Sequence, residues 1–111
     1  QPLTIVGNGK QKRDFIYVED IVNAFLLTIK SNKSVGQIFN VGSGKVYSVN
    51  KVFNTIKKLM KIGKSIHVKS DSTELNYVSA NIDKAKKVLG FKPMYSFEKK
   101  IKEVITYIST R

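Results

Sequence analysis

Apolar residues occur along this chain in short runs and in helical stripes, separated by segments rich in glycine, asparagine and serine. Short runs of β-branched and aromatic residues predict strands. We place four strands at residues 3–6, 15–18, 37–41 and 65–69. The first and third of these runs lead directly into a glycine, which is typical of a strand that ends in a turn.

Apolar residues at helical spacing predict four helices. The first has Glu19 or Asp20 at its N-cap and is apolar on most of its circumference from residue 21 to residue 29, so we expect it to be well buried. The other three helices follow polar N-cap residues, which are Ser48, Asn81 and Ser96. Gly63 and Gly90 are expected to end the second and third helices.

The order of the elements, strand–strand–helix–strand–helix–strand–helix–helix, predicts an α/β fold in which a small sheet packs with helices. The chain has 111 residues, which is enough for one domain with a modest core. Four short strands make a thin sheet for this length. We therefore expect residues 1–111 to be part of a larger fold.

The net charge of +12 suggests a polyanionic partner such as nucleic acid. The lysines are scattered, for example as pairs at positions 57–58, 86–87 and 99–100, and no arginine-rich stripe alternates with aromatic residues. This distribution favours a lysine-rich solvated surface over a nucleic-acid-binding groove. A basic, non-catalytic domain that binds nucleic acid or associates with a partner chain is kept as the alternative function.

Composition excludes several kinds of site. The chain has no cysteine, so it has neither disulfides nor thiolate chemistry. His67 is the single histidine and no carboxylates cluster at ligand spacing, so we predict no metal site. No apolar run has membrane-spanning length and no signal peptide opens the chain, so we expect a cytoplasmic protein without a membrane partner. The first residue is Gln1, which we expect to be a processed or truncated end.

Two kinds of motif are interpreted as coincidental. The glycine pairs at residues 7–9 and 42–44 lack the third glycine of a dinucleotide-binding loop, so we predict ordinary turns. Tyr47 with Lys51, and Tyr95 with Lys99, match the Tyr-x-x-x-Lys spacing of short-chain dehydrogenases. Each pair straddles a loop and a predicted helix start, whereas catalysis needs both side chains on one helix face.

The most informative stretch runs from residue 7 to residue 20, through the glycine turn and a basic cluster into an apolar run. Arg13 ends the basic cluster at the start of the predicted second strand. A guanidinium group can bind a phosphate through two parallel hydrogen bonds. Arg13 is therefore a candidate anion-binding residue.

Residues 2–9 (Pro-Leu-Thr-Ile-Val-Gly-Asn-Gly) and 13–20 (Arg-Asp-Phe-Ile-Tyr-Val-Glu-Asp) closely resemble the substrate-binding region of the extended short-chain dehydrogenase/reductase family. The resemblance is to its NAD-dependent nucleotide-sugar epimerases and dehydratases. Three further blocks follow in the family's order, at residues 38–44, 80–85 and 89–93. The resemblance implies that residues 1–111 are the C-terminal, substrate-binding part of an extended Rossmann-type enzyme.

The resemblance also implies roles for individual residues. Arg13 would bind the diphosphate of a nucleotide-diphosphate sugar, and Asp14 would orient Arg13 or cap local structure. Contacts to the base and ribose would come from Thr4, Ile5, Val6 and Glu74. Residues 39–42 would form a strand at the edge of the cofactor domain's parallel sheet. Asp71 stands where the family often has a second arginine, which would remove one phosphate partner.

The family's N-terminal cofactor loop and its catalytic Tyr-x-x-x-Lys precede this region and are not present in residues 1–111. We therefore expect NAD to serve the parent enzyme, no cofactor to bind this chain alone, and no catalytic competence in the chain by itself. The expected partner besides the sugar nucleotide is the missing N-terminal NAD-binding domain. A homodimer is a further option, because an isolated part would expose the surface that packs on the missing sheet.

Overall fold

The computed structural model describes residues 3–70 and 75–110, which form a mixed α/β chain with small sheets and four helices. In chain order the elements are β1 (Leu3–Val6), β2 (Lys12–Arg13), α1 (Val18–Lys30), β3 (Tyr47–Ser48), α2 (Val49–Met60), β4 (Ser65–Val68), α3 (Asp83–Leu89) and α4 (Phe97–Ser109). They form two compact units. The first unit comprises the described residues of segments 1–13 and 46–78, and the second those of segments 14–45 and 79–111. The expected α/β class is confirmed.

The described residues of the first unit form two pairs of short strands and one helix. β1 pairs with β4 in parallel, with Leu3 opposite Ser65 and Val6 opposite Val68. β2 pairs with β3 in antiparallel fashion, which places Arg13 opposite Tyr47. α2 contacts both β1 and β3, so the same helix supports the two sheets.

The start of α2 agrees with the prediction and its end does not. Ser48 is the N-cap, and its hydroxyl accepts a hydrogen bond from the backbone N–H of Lys51 at 3.1 Å. This bond satisfies one of the N–H groups that a helix start leaves without an intrahelical partner. The helix ends at Met60 because Lys61 (φ +56°) adopts the left-handed conformation, so Gly63 is not its C-cap.

The core of the second unit lies where α1 faces α3. Its buried apolar side chains are those of Ala24, Ile82, Ala85, Leu89 and Phe91. Gly90 (φ +68°) ends α3 in the left-handed conformation, as predicted, and the chain turns back so that Phe91 donates its N–H to the carbonyl of Ala85. This turn delivers the Phe91 ring to the core.

A short polar side chain caps α4, and another lies just before the N-cap of α3. Ser96 caps α4 and accepts a hydrogen bond from the N–H of Lys99 at 3.4 Å. Asn81 accepts one from the N–H of Asp83 at 3.0 Å, although Ile82 holds the N-cap position of α3.

Within the described residues, no helix is long and apolar enough to cross a membrane.

Two predicted strands, at residues 15–18 and 37–41, do not occur in the described structure. Residues 15–17 are unpaired and Val18 already begins α1, while residues 37–41 carry no regular structure. A strand needs a neighbour for its backbone hydrogen bonds. The two described sheets pair β1 with β4 and β2 with β3, and neither includes residues 15–17 or 37–41. The strands that do form at β2 and β3 are two residues long, which is too short for a recognisable apolar alternation.

The prediction that the first helix is well buried is wrong. Only Asp20 and Ala24 of α1 are buried, whereas the Phe25 side chain is 65% exposed and that of Ile29 is 78% exposed. Its N-cap is Tyr17, and Glu19 lies in the first turn together with Asp20. The apolar pattern predicts burial, but α3 covers only one side of the helix.

Candidate functional site

The glycine turn of residues 7–9 is shaped by Asn50, in the first turn of α2. Gly9 has φ +73°, and a Cβ atom there would lie 1.9 Å from the side-chain oxygen of Asn50. The backbone N–H of Asn50 donates to the carbonyl of Gly9 at 2.8 Å, and its side-chain amide donates to the carbonyl of Asn8 at 3.0 Å. Asn8 in turn accepts a hydrogen bond from the N–H of Lys10. The turn is therefore tied to the helix by two bonds from one residue.

Gln11 fixes the segment that follows the turn. It is buried although both of its chain neighbours are exposed lysines. Its side-chain amide donates to the carbonyl of Val6, the last residue of β1, at 3.1 Å. Its own carbonyl accepts the N–H of Val49 at 3.0 Å. Gln11 thus connects the end of β1 to the start of α2.

Arg13 lies at the end of this braced segment, in a strand that is held on both edges. β2 pairs with β3 on one side, and on the other Lys12 donates its N–H to Asn76 and accepts the N–H of Val78. The half-exposed Arg13 side chain donates from Nη1 to the carbonyl of Lys12 at 2.8 Å. A guanidinium has five N–H donors in a fixed plane, so it can present a fork of them to a phosphate.

The three sequence-predicted residues of β1 lie in the same unit and face different environments. Thr4 is exposed and Val6 is 46% exposed, whereas the Ile5 side chain is buried with 3% exposure. This alternation follows from the two-residue period of a strand. A ligand can therefore reach the side chains of Thr4 and Val6, while Ile5 offers it only backbone atoms.

The other predicted residues near this site give less. Glu74 and Asp71 lie outside the described residues. His67, on β4, uses Nδ1 in a 2.9 Å hydrogen bond with the carbonyl of Gly7, which is a structural contact at the glycine turn. The described part of the chain contains no group of three or more histidine, aspartate or glutamate residues that could hold a metal ion.

Asp14, in the second unit, stabilises the glycine turn of residues 42–44. One carboxylate oxygen accepts hydrogen bonds from the N–H of Ser43 at 2.9 Å and from its hydroxyl at 2.7 Å. The other oxygen is buried and has no hydrogen-bond partner among the described residues. Gly42 permits this approach, since a Cβ atom there would lie 2.5 Å from that second oxygen.

The start of α1 and the start of α4 are joined by a polar and aromatic cluster. Tyr17 donates to Glu103 at 3.0 Å, Lys100 donates to the same carboxylate at 3.1 Å, and the ammonium of Lys100 lies 4.6 Å from the ring centre of Tyr95. The hydrogen bonds from Lys100 and Tyr17 lower the pKa of Glu103. The hydrogen bond from Lys100 to Glu103 raises the pKa of Lys100. The separate hydrogen bond from Tyr17 to Glu103 raises the pKa of the Tyr17 phenol. All four groups are accessible, so we interpret the cluster as a surface clasp within the second unit.

Comparison with known proteins identifies the family. The model of the family described as GDP-mannose 4,6 dehydratase matches residues 1–104. The chain belongs to this family. A curated relative, the UDP-glucuronate 4-epimerase of Thermodesulfobacterium geofontis, is 34% identical over 110 residues, which are 96% of this chain and 33% of that protein. The chain spans about a third of the length of the curated relatives it matches.

Solved structures of the same kind match nearly all of the chain. The UDP-glucose 4-epimerase of Thermotoga maritima, crystallised with UDP-glucose, matches with a TM-score of 0.90 and 27% identity over 99% of this chain and 35% of that one. The UDP-glucuronic acid 4-epimerase of Bacillus cereus, in complex with UDP-glucuronic acid and NAD, gives 0.90 and 27% over 99% and 36%. The resemblance to nucleotide-sugar epimerases and dehydratases is therefore confirmed.

Sequence reasoning missed Gln11 and Asn50, the two residues that hold the glycine turn. The sequence does carry a signal for Gln11, which is uncharged and lies between two lysines. In an extended segment, alternation places its side chain on the opposite side of the chain from those of Lys10 and Lys12. Asn50 gave no comparable signal. It lies in a helix start where asparagine is common, and its partner is 42 residues away along the chain.

Proposed function

We propose that this chain is the substrate-binding part of an NAD-dependent nucleotide-sugar epimerase or dehydratase, and that Arg13 binds the diphosphate of the substrate. The observation that carries the proposal is the braced position of Arg13, in a two-residue strand paired on both edges, within a chain of this family. Its relatives include structures with UDP-glucose and with UDP-glucuronic acid. A sugar nucleotide of that class is therefore the proposed ligand.

The remaining proposed contacts to the ligand come from other residues of the first unit. The exposed side chains of Thr4 and Val6 and the backbone of Ile5 are proposed to contact the base and ribose, together with Glu74. The four proposed residues besides Arg13 are uncharged or acidic, so Arg13 would supply the positive charge at the phosphates. Its neighbour Lys10 is exposed in the same segment and adds a general positive field.

The chemistry of the parent enzyme is proposed to reside outside this chain. When bound to the parent enzyme, NAD would supply reversible oxidation at C4 of the sugar. Both glycine turns lead into extended segments, and neither opens a helix whose N-terminus could hold a pyrophosphate. The described residues thus do not fit a dinucleotide site, and we propose that this chain binds sugar nucleotide without turning it over.

We further propose that the cofactor-binding part docks on the exposed apolar side of the second unit. That side includes Phe25 and Ile29 of α1 and the unpaired segment 37–41, whose Ile38 is 82% exposed. Apolar surface of this extent in a folded protein is usually covered by a partner. The relatives are about three times as long as this chain, which leaves a polypeptide large enough to cover it.

The test is substrate affinity in the full-length protein. Arg13→Ala should raise the KM or Kd for UDP-glucuronic acid or UDP-glucose about 10- to 100-fold, because a charge-assisted hydrogen-bond pair to phosphate is lost. Lys10→Ala removes the same charge from the same segment and is the matched control, for which we expect less than about a 3-fold change. Unchanged affinity in Arg13→Ala would contradict the proposal.

The alternative, a basic domain that binds nucleic acid, rests on the net charge of +12. Titration with duplex and single-stranded DNA at two salt concentrations distinguishes the two functions. Strongly salt-dependent binding of any DNA sequence, without competition by UDP-sugars, would favour the alternative. Displacement of the DNA from a single site by UDP-sugars would favour the proposed sugar-nucleotide binding.

A further inference from the structure

Two side chains hold the start of the segment that carries Arg13, one from α2 and one within the segment itself. Asn50 donates through its side-chain amide to the carbonyl of Asn8 and through its backbone to that of Gly9. Gln11 donates to the carbonyl of Val6 and accepts the N–H of Val49. The loop between β1 and β2 is thus bonded to β1 at one point and to the first turn of α2 at three.

The fit between Asn50 and the loop is close. A Cβ atom on Gly9 would lie within 2.5 Å of two side-chain atoms of Asn50, so the amide occupies the space that any other residue at position 9 would fill. Gly9 is also in the left-handed region with φ +73°, which a residue with a side chain rarely adopts. The contact therefore depends on both partners, a glycine in the loop and an asparagine on the helix.

The consequence reaches Arg13 through a short stretch of backbone. Gln11 is buried, Lys12 bonds to Asn76 and Val78 on one edge of β2 while β3 pairs on the other, and Arg13 follows directly. A loop fixed at residues 8, 9 and 11 leaves little freedom for the backbone of residue 13. A guanidinium that must meet a diphosphate with defined geometry gains affinity when its backbone is fixed in advance.

We propose that Asn50 and Gln11 are positioning residues, which hold the loop of residues 7–11 and thereby set Arg13 for diphosphate binding. The inference rests on the proposed function, since it assigns to these residues a share of the affinity that Arg13 provides. Neither residue needs to touch the ligand.

The experiment measures the Kd of UDP for the full-length protein by isothermal titration calorimetry. Asn50→Asp keeps the size and the oxygen of the side chain but removes the donor to Asn8, and we expect UDP binding about 3- to 10-fold weaker, the range for one lost hydrogen bond. Asn54→Asp makes the same change one turn later on α2, at an exposed position, and should alter the Kd less than about 2-fold. Gln11→Met, which removes the donor to Val6 at similar volume, is the second variant and should act in the same direction.

The decisive comparison repeats Asn50→Asp in an Arg13→Ala background. If Asn50 acts through Arg13, its effect on UDP affinity shrinks below about 2-fold when Arg13 is absent, because coupled residues are not additive. An equal loss in both backgrounds, or wild-type affinity in Asn50→Asp and Gln11→Met, would overturn the positioning role and leave the proposed function intact. Wild-type UDP affinity in Arg13→Ala would instead overturn the proposed function.

Discussion

Replacing Asp20 is expected to be the most damaging single change in the second unit. Asp20 lies in the first turn of α1 and its side chain is fully buried. One carboxylate oxygen accepts the backbone N–H of Met94 at 2.9 Å, and the other accepts that of Tyr95 at 3.2 Å. The carboxylate therefore joins α1 to the segment before α4, 74 residues further along the chain.

The expected magnitude follows from the two bonds. A hydrogen bond to a charged group contributes about 1.5–3 kcal/mol, and its loss leaves a donor unsatisfied. Asp20→Ala removes both acceptors at once, so we expect a loss of about 3–5 kcal/mol in the free energy of unfolding. Asp20→Asn retains one oxygen and should cost about 1–3 kcal/mol, because its amide group would face the second N–H. For a domain stable by about 5–15 kcal/mol, the alanine variant is near the limit of folding.

Urea unfolding of the chain, followed by far-UV circular dichroism, measures these differences. Asp83→Asn is the matched control, since Asp83 is an exposed aspartate in the first turn of α3 and should lose only about 0.5 kcal/mol. The order expected for the midpoint is wild type and Asp83→Asn, then Asp20→Asn, then Asp20→Ala. If Asp20→Ala unfolded at the same midpoint as Asp83→Asn, the two bonds would not stabilise the fold and the reasoning would fail.

Two further predictions concern a glycine and a surface carboxylate. Gly9→Ala should cost about 1–3 kcal/mol and lower the thermal midpoint, because φ is +73° there and the new Cβ would meet Asn50. Glu103→Gln tests the clasp: the hydrogen bonds from Lys100 and Tyr17 hold the folded-state pKa of Glu103 below 4.5, so its contribution to stability is present above about pH 4.5 and is lost as the pH falls through the folded pKa. The gap in thermal midpoint between wild type and Glu103→Gln should therefore be present at neutral pH and close in acid.

Each of these has a clear counter-result. Gly63→Ala is the control for the glycine, since nothing lies within 4 Å of a Cβ atom at that position, and it should stay within about 0.5 kcal/mol of wild type. Equal midpoints for the two alanine variants would remove the argument from the Asn50 contact. For Glu103, a gap that is constant from neutral pH to pH 3 would show that its ionisation is not linked to folding.

Sequence predicted local features of the fold well. Ser48 and Ser96 cap helices as expected, because capping is decided by a side chain and a backbone N–H three residues apart. Gly90 ends α3 for an equally local reason, its positive φ. Of the candidate site, only Arg13 is predicted from the residues themselves, as an arginine that ends a basic cluster. Thr4, Ile5, Val6 and Glu74 come from the family resemblance, and their roles stay predictions.

Two helix ends were misplaced by a few residues, the end of α2 at Gly63 and the N-cap of α1. The larger failures are non-local. Residues 37–41 have the composition of a strand, but pairing depends on a neighbour that the composition of the segment does not reveal. The apolar circumference of α1 indicates that these side chains need to be covered. It does not indicate which other element covers them. Gln11 and Asn50 were missed because their partners lie at Val6 and Asn8, and only the folded chain brings Asn50 next to Asn8.

The central claim is that Arg13 binds the phosphates of a nucleotide ligand, and one comparison tests it most directly. The affinities of UDP and of uridine are measured by competition for the full-length protein and for its Arg13→Ala variant. We expect the variant to bind UDP about 10- to 100-fold more weakly and to bind uridine as wild type does, since the lost interaction is with phosphate alone. Equal UDP affinity in the two proteins, or an equal loss for UDP and uridine, would contradict it.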